Sequence, residues 1–217
     1  MLIEVFADFS CPWCFIGRRR LARALELRPQ LSMRTVWQPF QLNPEIPSEG
    51  IGRRQYSLGK LGDFDRLVAM EQMLAESGGK DGIRFKFDLI ERIPNTMAAH
   101  RLMRLAARTQ HDDALADALF SAFFEKGKDI GNLVVLADLA AAAGMDRAAV
   151  LAFLQGREEA DAVASIDALG HQSGIAGVPY FIFDRRYALA GAQEPVSFLP
   201  LFDALIATSD EMMASPA

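Results

Sequence analysis

Cys11 and Cys14 are the two cysteines of this 217-residue chain, and they stand three positions apart in the segment DFSCPWCFIGRRRL, residues 8–21. Two thiols at this spacing suit three kinds of chemistry: a metal clip, a structural disulfide, or a redox pair that opens and closes. A zinc site needs four ligands, and the chain has no second Cys or His pair at ligand spacing. The surrounding residues must decide between the other two.

The cysteines stand where a predicted strand meets a predicted helix. The apolar residues Leu2, Ile3, Val5 and Phe6 form a short run of strand length, and Pro12 occupies a favoured first helical position. The spacing of apolar residues then predicts a helix over about residues 13–28, and residues 31–40 are typical of a second strand. This order predicts a βαβ unit with both cysteines at its first turn.

A cysteine at the start of a helix has a physical reason to ionise. Unsatisfied backbone N–H groups and the positive end of the helix dipole favour the thiolate, which is the form that attacks a disulfide. Cys11 is therefore predicted to attack, and Cys14, one turn into the helix, to resolve the mixed disulfide. Pro12 stiffens the turn, and Trp13 is either a half-buried packing residue or a substrate contact.

The composition restricts the function classes. A net charge of −5 argues against a nucleic-acid-binding protein, and no apolar run approaches the roughly 20 residues that span a bilayer. The first residues, MLIEVFADF, have no basic region and too short an apolar stretch for a secretory signal, so we expect a cytoplasmic protein. Because cytoplasmic thiols are kept reduced, a stable structural disulfide is disfavoured.

Beyond residue 52 the sequence predicts a block of helices and then a hairpin. Glycines punctuate the apolar periodicity of the helical block. The predicted helices are residues 57–77, 95–110, 112–126, 133–143, 147–155 and 157–173. Residues 180–183 and 187–190 are predicted to form two antiparallel strands, and a last helix is expected at about 196–207.

This order of elements, with C-x-x-C at the first strand-to-helix turn, resembles the thioredoxin fold. The helical block resembles the insertion of the DsbA superfamily, and the motifs resemble its FrnE-like branch. The motifs are DFSCPWCFIGRRRL, WQPFQLNPEIP (37–47), NTMAAHRL (95–102), FFEKGKDIGN (123–132), GVPYFIF (177–183) and YALAGAQ (187–193). The resemblance implies an α/β thioredoxin fold with a large α-helical insertion. Residues 1–45 and 174–217 would form the thioredoxin-like domain, and residues 46–173 the insertion domain.

The resemblance also implies further site residues. Pro179 is expected to follow a cis peptide bond, to face the cysteines and to present the backbone of Val178 to an extended substrate. Asn95 and His100 become candidates for a substrate pocket, although Asn95 could instead cap a helix and His100 could be a buried core residue. The arginines 18–20 are expected to form a solvated helix face, unless one of them steers an acidic substrate.

The leading hypothesis is a dithiol–disulfide oxidoreductase that acts on protein or small-thiol substrates and needs no cofactor, with glutathione as a candidate co-substrate. The alternative is a glutathione-dependent isomerase or transferase, since the FrnE-like branch resembles the 2-hydroxychromene-2-carboxylate isomerases and kappa-class glutathione transferases. Those relatives typically carry serine in place of the catalytic cysteine, so the presence of Cys11 and Cys14 favours redox chemistry. Exposed apolar helical faces are compatible with a homodimer.

Overall fold

The computed structural model describes the backbone of residues 1–214 and the side chains of residues 1–60 and 62–207. Its strands are β1 Leu2–Ala7, β2 Arg34–Pro39, β3 Ile51–Gly52, β4 Arg92–Ile93, β5 Tyr180–Phe183 and β6 Tyr187–Ala190. Its helices are α1 Pro12–Glu26, α2 Arg53–Leu61, α3 Phe64–Lys80, α4 Met97–Arg108, α5 Asp112–Phe124, α6 Leu133–Ala142, α7 Arg147–Gln155, α8 Ala160–Gln172 and α9 Leu199–Ala214. Short 3-10 turns lie at Phe87–Leu89 and Pro195–Phe198.

The larger sheet has the strand order β2-β1-β5-β6. The central strand β1 runs parallel to β2 and antiparallel to β5, so that Val5 stands opposite Trp37 on one side and Phe181 on the other. β5 and β6 form an antiparallel hairpin. The structure thus confirms the predicted βαβ unit, the predicted hairpin and an α/β fold with inserted helices.

Successive residues of a strand point to opposite sides of a sheet. In this sheet, apolar side chains on both sides pack against helices or turns. On one face, Phe181 and Phe183 are fully buried, and Phe181 packs edge-on against Phe198 with ring centroids 5.2 Å apart. On the other face, Phe6 packs with Phe40 next to Gly170 of α8. The strands of the sheet all lie within residues 1–45 and 174–217, and the last three residues of that predicted domain, 215–217, lie outside the described residues.

The helical insertion packs against α1, the helix that follows the cysteines. The ring of Phe15 on α1 stacks on Phe120 of α5, with centroids 5.3 Å apart and planes 5° from parallel. The same ring meets Phe85 edge-on at 6.1 Å. Aromatic pairs of this kind add about 0.5–1.5 kcal/mol each beyond the area they bury, so these contacts fix α1 against the insertion.

The predicted helix over residues 57–77 is wrong in its bounds and its continuity. The structure has two helices there, α2 and α3, and they are separated at Gly62. Gly62 adopts a left-handed φ of 74°, which favours glycine and ends α2. Asp63 then caps α3, since its side chain accepts a hydrogen bond from the N–H of Asp65.

The expectation of a solvated face at residues 18–20 is also wrong for two of the three arginines. The guanidinium of Arg18 forms ion pairs with Asp113 and Asp117 of α5. Arg20 is buried, and its Nε lies 2.7 Å from Asp81 Oδ2 at the end of α3. The insertion supplies these carboxylates from about 60 to 100 positions away, so local periodicity could not indicate them.

A short antiparallel pair, β3 with β4, closes the loop that follows β2. Ile51 stands opposite Ile93, which places residues 41–52 next to the chain that leads into α4. Within the described residues, no helix combines the length and apolar content needed to cross a membrane.

Gly17 allows α1 to approach the chain before β5. A Cβ added at Gly17 would lie 2.7 Å from Cγ of Pro179 and 3.3 Å from the ring of Phe181. We expect Gly17→Ala to lower the free energy of unfolding by about 1–3 kcal/mol, because the added methyl group overfills this contact. Urea unfolding followed by circular dichroism measures the change.

Gly59→Ala in α2 is the matched control. A Cβ there meets nothing within 4 Å, so the helix propensity of alanine should raise the free energy of unfolding by about 0.5–1 kcal/mol. If both variants were stabilised to the same extent, the methyl group added at Gly17 would not crowd Pro179, and the prediction would be wrong.

Candidate active site

Cys11 lies at the N-cap of α1 and faces the chain before β5. Its backbone is extended, with φ −93° and ψ 114°, and its carbonyl accepts a hydrogen bond from the N–H of Cys14 at 3.1 Å. Its thiol donates a weak hydrogen bond to the carbonyl oxygen of Val178, with sulfur and oxygen 3.6 Å apart. Both cysteines are free thiols and buried, with 4% of Cys11 and 1% of Cys14 exposed.

The start of α1 favours a negative charge at Cys11. The first turn of the helix carries no acidic residue, and its unpaired backbone N–H groups point toward its N-terminus. The predicted position of Cys11 at the start of a helix is confirmed, whereas its preference for the thiolate stays a prediction.

Cys14 has the opposite environment. Burial raises the pKa of its thiol well above the usual value, and a hydrogen bond to Cys11 and the charge of Cys11 raise it further. A hydrogen bond from the backbone of Asp8 opposes these effects without reversing them. At neutral pH Cys14 is therefore a protonated thiol, which becomes a nucleophile only when it loses that proton.

The Val178–Pro179 peptide bond is cis. Pro179 is buried against Gly17, whereas Val178 is half-buried and directs its carbonyl at Cys11. The carbonyl of Pro179 accepts a hydrogen bond from Gly191 at 2.8 Å, and β5 begins at the next residue. The fold thus brings the two sequence-predicted segments, residues 11–14 and 178–179, into contact.

Asp8 is a site residue that sequence reasoning missed. Its carboxylate is 1% exposed and accepts hydrogen bonds from the N–H and hydroxyl of Ser10 at 2.9 and 3.0 Å, and from the N–H of Leu42 at 2.7 Å. It therefore ties the turn before Cys11 to the loop after β2. The available signal was an acidic residue at the end of an apolar strand, directly before the cysteines.

Asn95 and His100 hold structure around the site. Asn95 donates to the carbonyl of Ile46 at 2.6 Å and accepts from the N–H of Met97 at 2.9 Å, so its side chain joins the loop after β2 to the start of α4. His100 is buried against the ring of Phe9, with centroids 5.3 Å apart. Burial lowers the pKa of His100, and the nearby carboxylates of Asp8 and Asp167 only partly oppose this.

Pro12 and Trp13 stand on the outer side of the turn. Pro12 is the first residue of α1, and Trp13 is 44% exposed beside the buried cysteines. A cavity of about 290 Å³ has Ser10 and Pro12 in its wall, together with side chains of α2, α3 and α5. A substrate held at Cys11 would have this cavity next to it.

Several solved structures are similar to this chain. A protein of Streptomyces coelicolor described as a probable DsbA oxidoreductase shares 28% identity at a TM-score of 0.85, and the match covers 100% of this chain and 92% of that one. A 2-hydroxychromene-2-carboxylate isomerase has a TM-score of 0.70 at 15% identity, with 99% and 100% covered. The cytosolic disulfide reductase DsbM of Pseudomonas aeruginosa, solved with GSH, has a TM-score of 0.64 at 19% identity, with 99% and 100% covered. At their identities, the last two show a shared fold.

A family model described as the DSBA-like thioredoxin domain matches residues 2–201. That range includes the sheet, the inserted helices and both cysteines. The chain therefore belongs to the DSBA-like thioredoxin domain family.

Proposed function

We propose that this protein is a dithiol–disulfide oxidoreductase that exchanges disulfides with protein or small-thiol substrates through Cys11 and Cys14. The observation that carries the proposal is the pairing of two unlike thiols at the start of α1. Cys11 stands at the helix N-terminus, 3.6 Å from the carbonyl of Val178, and Cys14 is buried one turn behind it. Family membership supports the same chemistry.

The exchange runs in two steps and transfers two electrons between the protein and the substrate. The Cys11 thiolate attacks one sulfur of a substrate disulfide, the substrate S–S bond breaks, and the departing sulfur leaves as a thiolate that takes up a proton. Cys14 then loses its proton and attacks the sulfur of Cys11. The Cys11–Cys14 disulfide forms and the second substrate sulfur leaves, so two electrons have passed from the protein to the substrate. The reverse sequence oxidises a substrate dithiol.

The residues opposite Cys11 would hold the substrate. The backbone of Val178 precedes β5 and would pair with an extended segment of a protein substrate, while Pro12 and the exposed ring of Trp13 would contact its side chains. Asn95 and His100 would act through the loop and the core that they support. A substrate contact by either residue stays a prediction.

Glutathione is the small thiol that we propose as a partner, and the cytoplasm is the compartment. Both proposals are supported by the similar fold of DsbM, which is described as cytosolic and was solved with GSH.

A glutathione-dependent isomerase is the second candidate, because an isomerase of 2-hydroxychromene-2-carboxylate also shares the fold. That activity would draw its thiol from glutathione and would not need Cys11.

Cys14→Ser should trap substrates on Cys11. Because the second step lacks its nucleophile, mixed disulfides with thiol-containing proteins or glutathione should accumulate and should dissociate on addition of dithiothreitol. Mass spectrometry of the purified variant identifies the adducts, and insulin reduction should fall to background. Cys11→Ser is the matched control and should yield no adducts.

The same two variants separate the two candidate functions. Absence of adducts in Cys14→Ser, together with glutathione-dependent turnover of 2-hydroxychromene-2-carboxylate by Cys11→Ser, would favour the isomerase and contradict the redox proposal.

The raised pKa of Cys14 predicts a pH-dependent second step. Below that pKa the thiolate fraction of Cys14 rises about ten-fold per pH unit, so resolution of the mixed disulfide should accelerate by about that factor between pH 7 and pH 8. Stopped-flow reaction of the reduced protein with 5,5′-dithiobis(2-nitrobenzoate) resolves the step as a second release of thionitrobenzoate. Cys14→Ser should show only the first release, and a second release with a rate independent of pH would contradict the prediction.

A further inference from the structure

The cavity beside Cys11 has a largely apolar wall. The side chains of Leu67, Met70 and Leu74 on α3 form one side, and Phe87 and Phe124 form part of the other. Its volume of about 290 Å³ is at the lower end of the range for small-molecule sites. Amide groups placed against such a wall would lose hydrogen bonds to water without replacement. The cavity therefore suits an aliphatic or aromatic body better than a peptide backbone.

The charged side chains that line the cavity are two cations and one anion. Arg53 and Glu71 form an ion pair in which both side chains are largely buried, so their charges offset each other. The ammonium of Lys60 donates to Asn43 Oδ1 at 2.7 Å, and among the described residues it has no carboxylate within ion-pair distance. Lys60 is exposed, which places its charge at the rim of the cavity.

A neutral hydroxyl adjoins that ammonium. Tyr56 donates from its phenol to the same Asn43 oxygen at 3.3 Å. Burial raises the pKa of Tyr56. The hydrogen bond to Asn43 only partly opposes this, and the nearby charges of Asp8, Glu45 and Cys11 raise the pKa further, so the phenol stays protonated. The polar rim therefore presents a cation and a neutral hydrogen-bonding group, with Asn43 fixing both.

In the sequence, Cys11 stands between two residues that line the cavity. Ser10 and Pro12, the residues on either side of Cys11, both line the cavity. A short chain attached to the sulfur of Cys11 would have to pass Pro12 to reach the apolar space, and Lys60 also lines that space. The arrangement is complementary to a molecule with a thiol at one end, an apolar middle and an anion at the other end.

We infer that this cavity selects small aliphatic or aromatic thiols that end in a carboxylate, with Lys60 binding the carboxylate. The inference rests on the proposed function, because the thiol must react at Cys11, and it names the small-molecule substrate class of that site. A medium-chain dithiol acid such as dihydrolipoate has the required parts. Its amide, dihydrolipoamide, has the same thiols and chain without the charge.

The reaction with dihydrolipoate balances without any other reactant. One ligand thiolate attacks the sulfur of Cys11 in the oxidised protein, the Cys11–Cys14 bond breaks, and Cys14 leaves as a thiolate that takes up a proton. The second ligand thiol then loses its proton and attacks the ligand sulfur bound to Cys11. Lipoate forms and Cys11 leaves as a thiolate, so two electrons have passed from the ligand to the protein.

The test compares single-turnover reduction of the oxidised protein by dihydrolipoate, dihydrolipoamide and dithiothreitol. Tryptophan fluorescence, to which Trp13 between the two cysteines contributes, reports the rate in a stopped-flow instrument. We expect the acid to react about five-fold faster than the amide, because a single exposed cation at the rim attracts a carboxylate only weakly. Lys60→Met should bring that ratio close to one, and Lys60→Arg should retain it.

Lys80→Met is the matched control, since it removes one exposed lysine from the end of α3, outside the cavity. It should leave the acid-to-amide ratio at the wild-type value. Leu67→Trp fills the apolar space and should lower the rate with dihydrolipoamide relative to dithiothreitol.

Equal rates for acid and amide in the wild type, or a ratio that survives in Lys60→Met, would overturn the inference and leave the proposed function intact. Failure of dithiothreitol to reduce the protein, with no adducts in Cys14→Ser, would instead overturn the proposed function. A parallel loss of all three rates in Lys60→Met would show a structural role for Lys60 and would likewise overturn the inference.

Discussion

The contact between the start of α1 and the segment Val178–Pro179 is the constraint on which the candidate site depends. It joins residues separated by 167 positions, and it brings the sulfur of Cys11 to 3.6 Å from the carbonyl of Val178. The contact exists because Gly17 leaves room for the ring of Pro179. A side chain at that point would separate the helix that carries the thiols from the strand that would present a substrate.

The inserted helices hold α1 in place with ion pairs as well as aromatic packing. Asp81, at the end of α3, accepts from both Arg20 and Arg23, and Arg20 also donates to the carbonyl of Ala192 after β6. Removing one partner of a buried pair leaves an uncompensated charge, at a typical cost of about 3–5 kcal/mol. The insertion therefore positions the helix whose N-terminus carries Cys11.

The two thiols differ because one lies at the end of the helix and the other inside its first turn. Cys11 lies at the N-cap of α1, whereas Cys14 is enclosed and keeps its proton. Asp8 ties the turn before Cys11 to the loop after β2. That loop also carries Asn43, so the contacts of the Asp8 carboxylate connect the turn before Cys11 with the polar rim of the cavity.

The sequence alone determined the strand–helix–strand order, the position of Cys11 at the start of a helix and the hairpin after Pro179, because each depends on neighbours a few residues away. Glycine and proline positions and apolar periodicity carry that local information. Tertiary structure decided which distant residues meet: the carboxylates that bury Arg18 and Arg20, the contact of Gly17 with Pro179, and the cavity rim at Asn43, Tyr56 and Lys60. These contacts depend on how inserted helices pack on α1, and pairings over 60 or more positions leave no periodic trace in one chain.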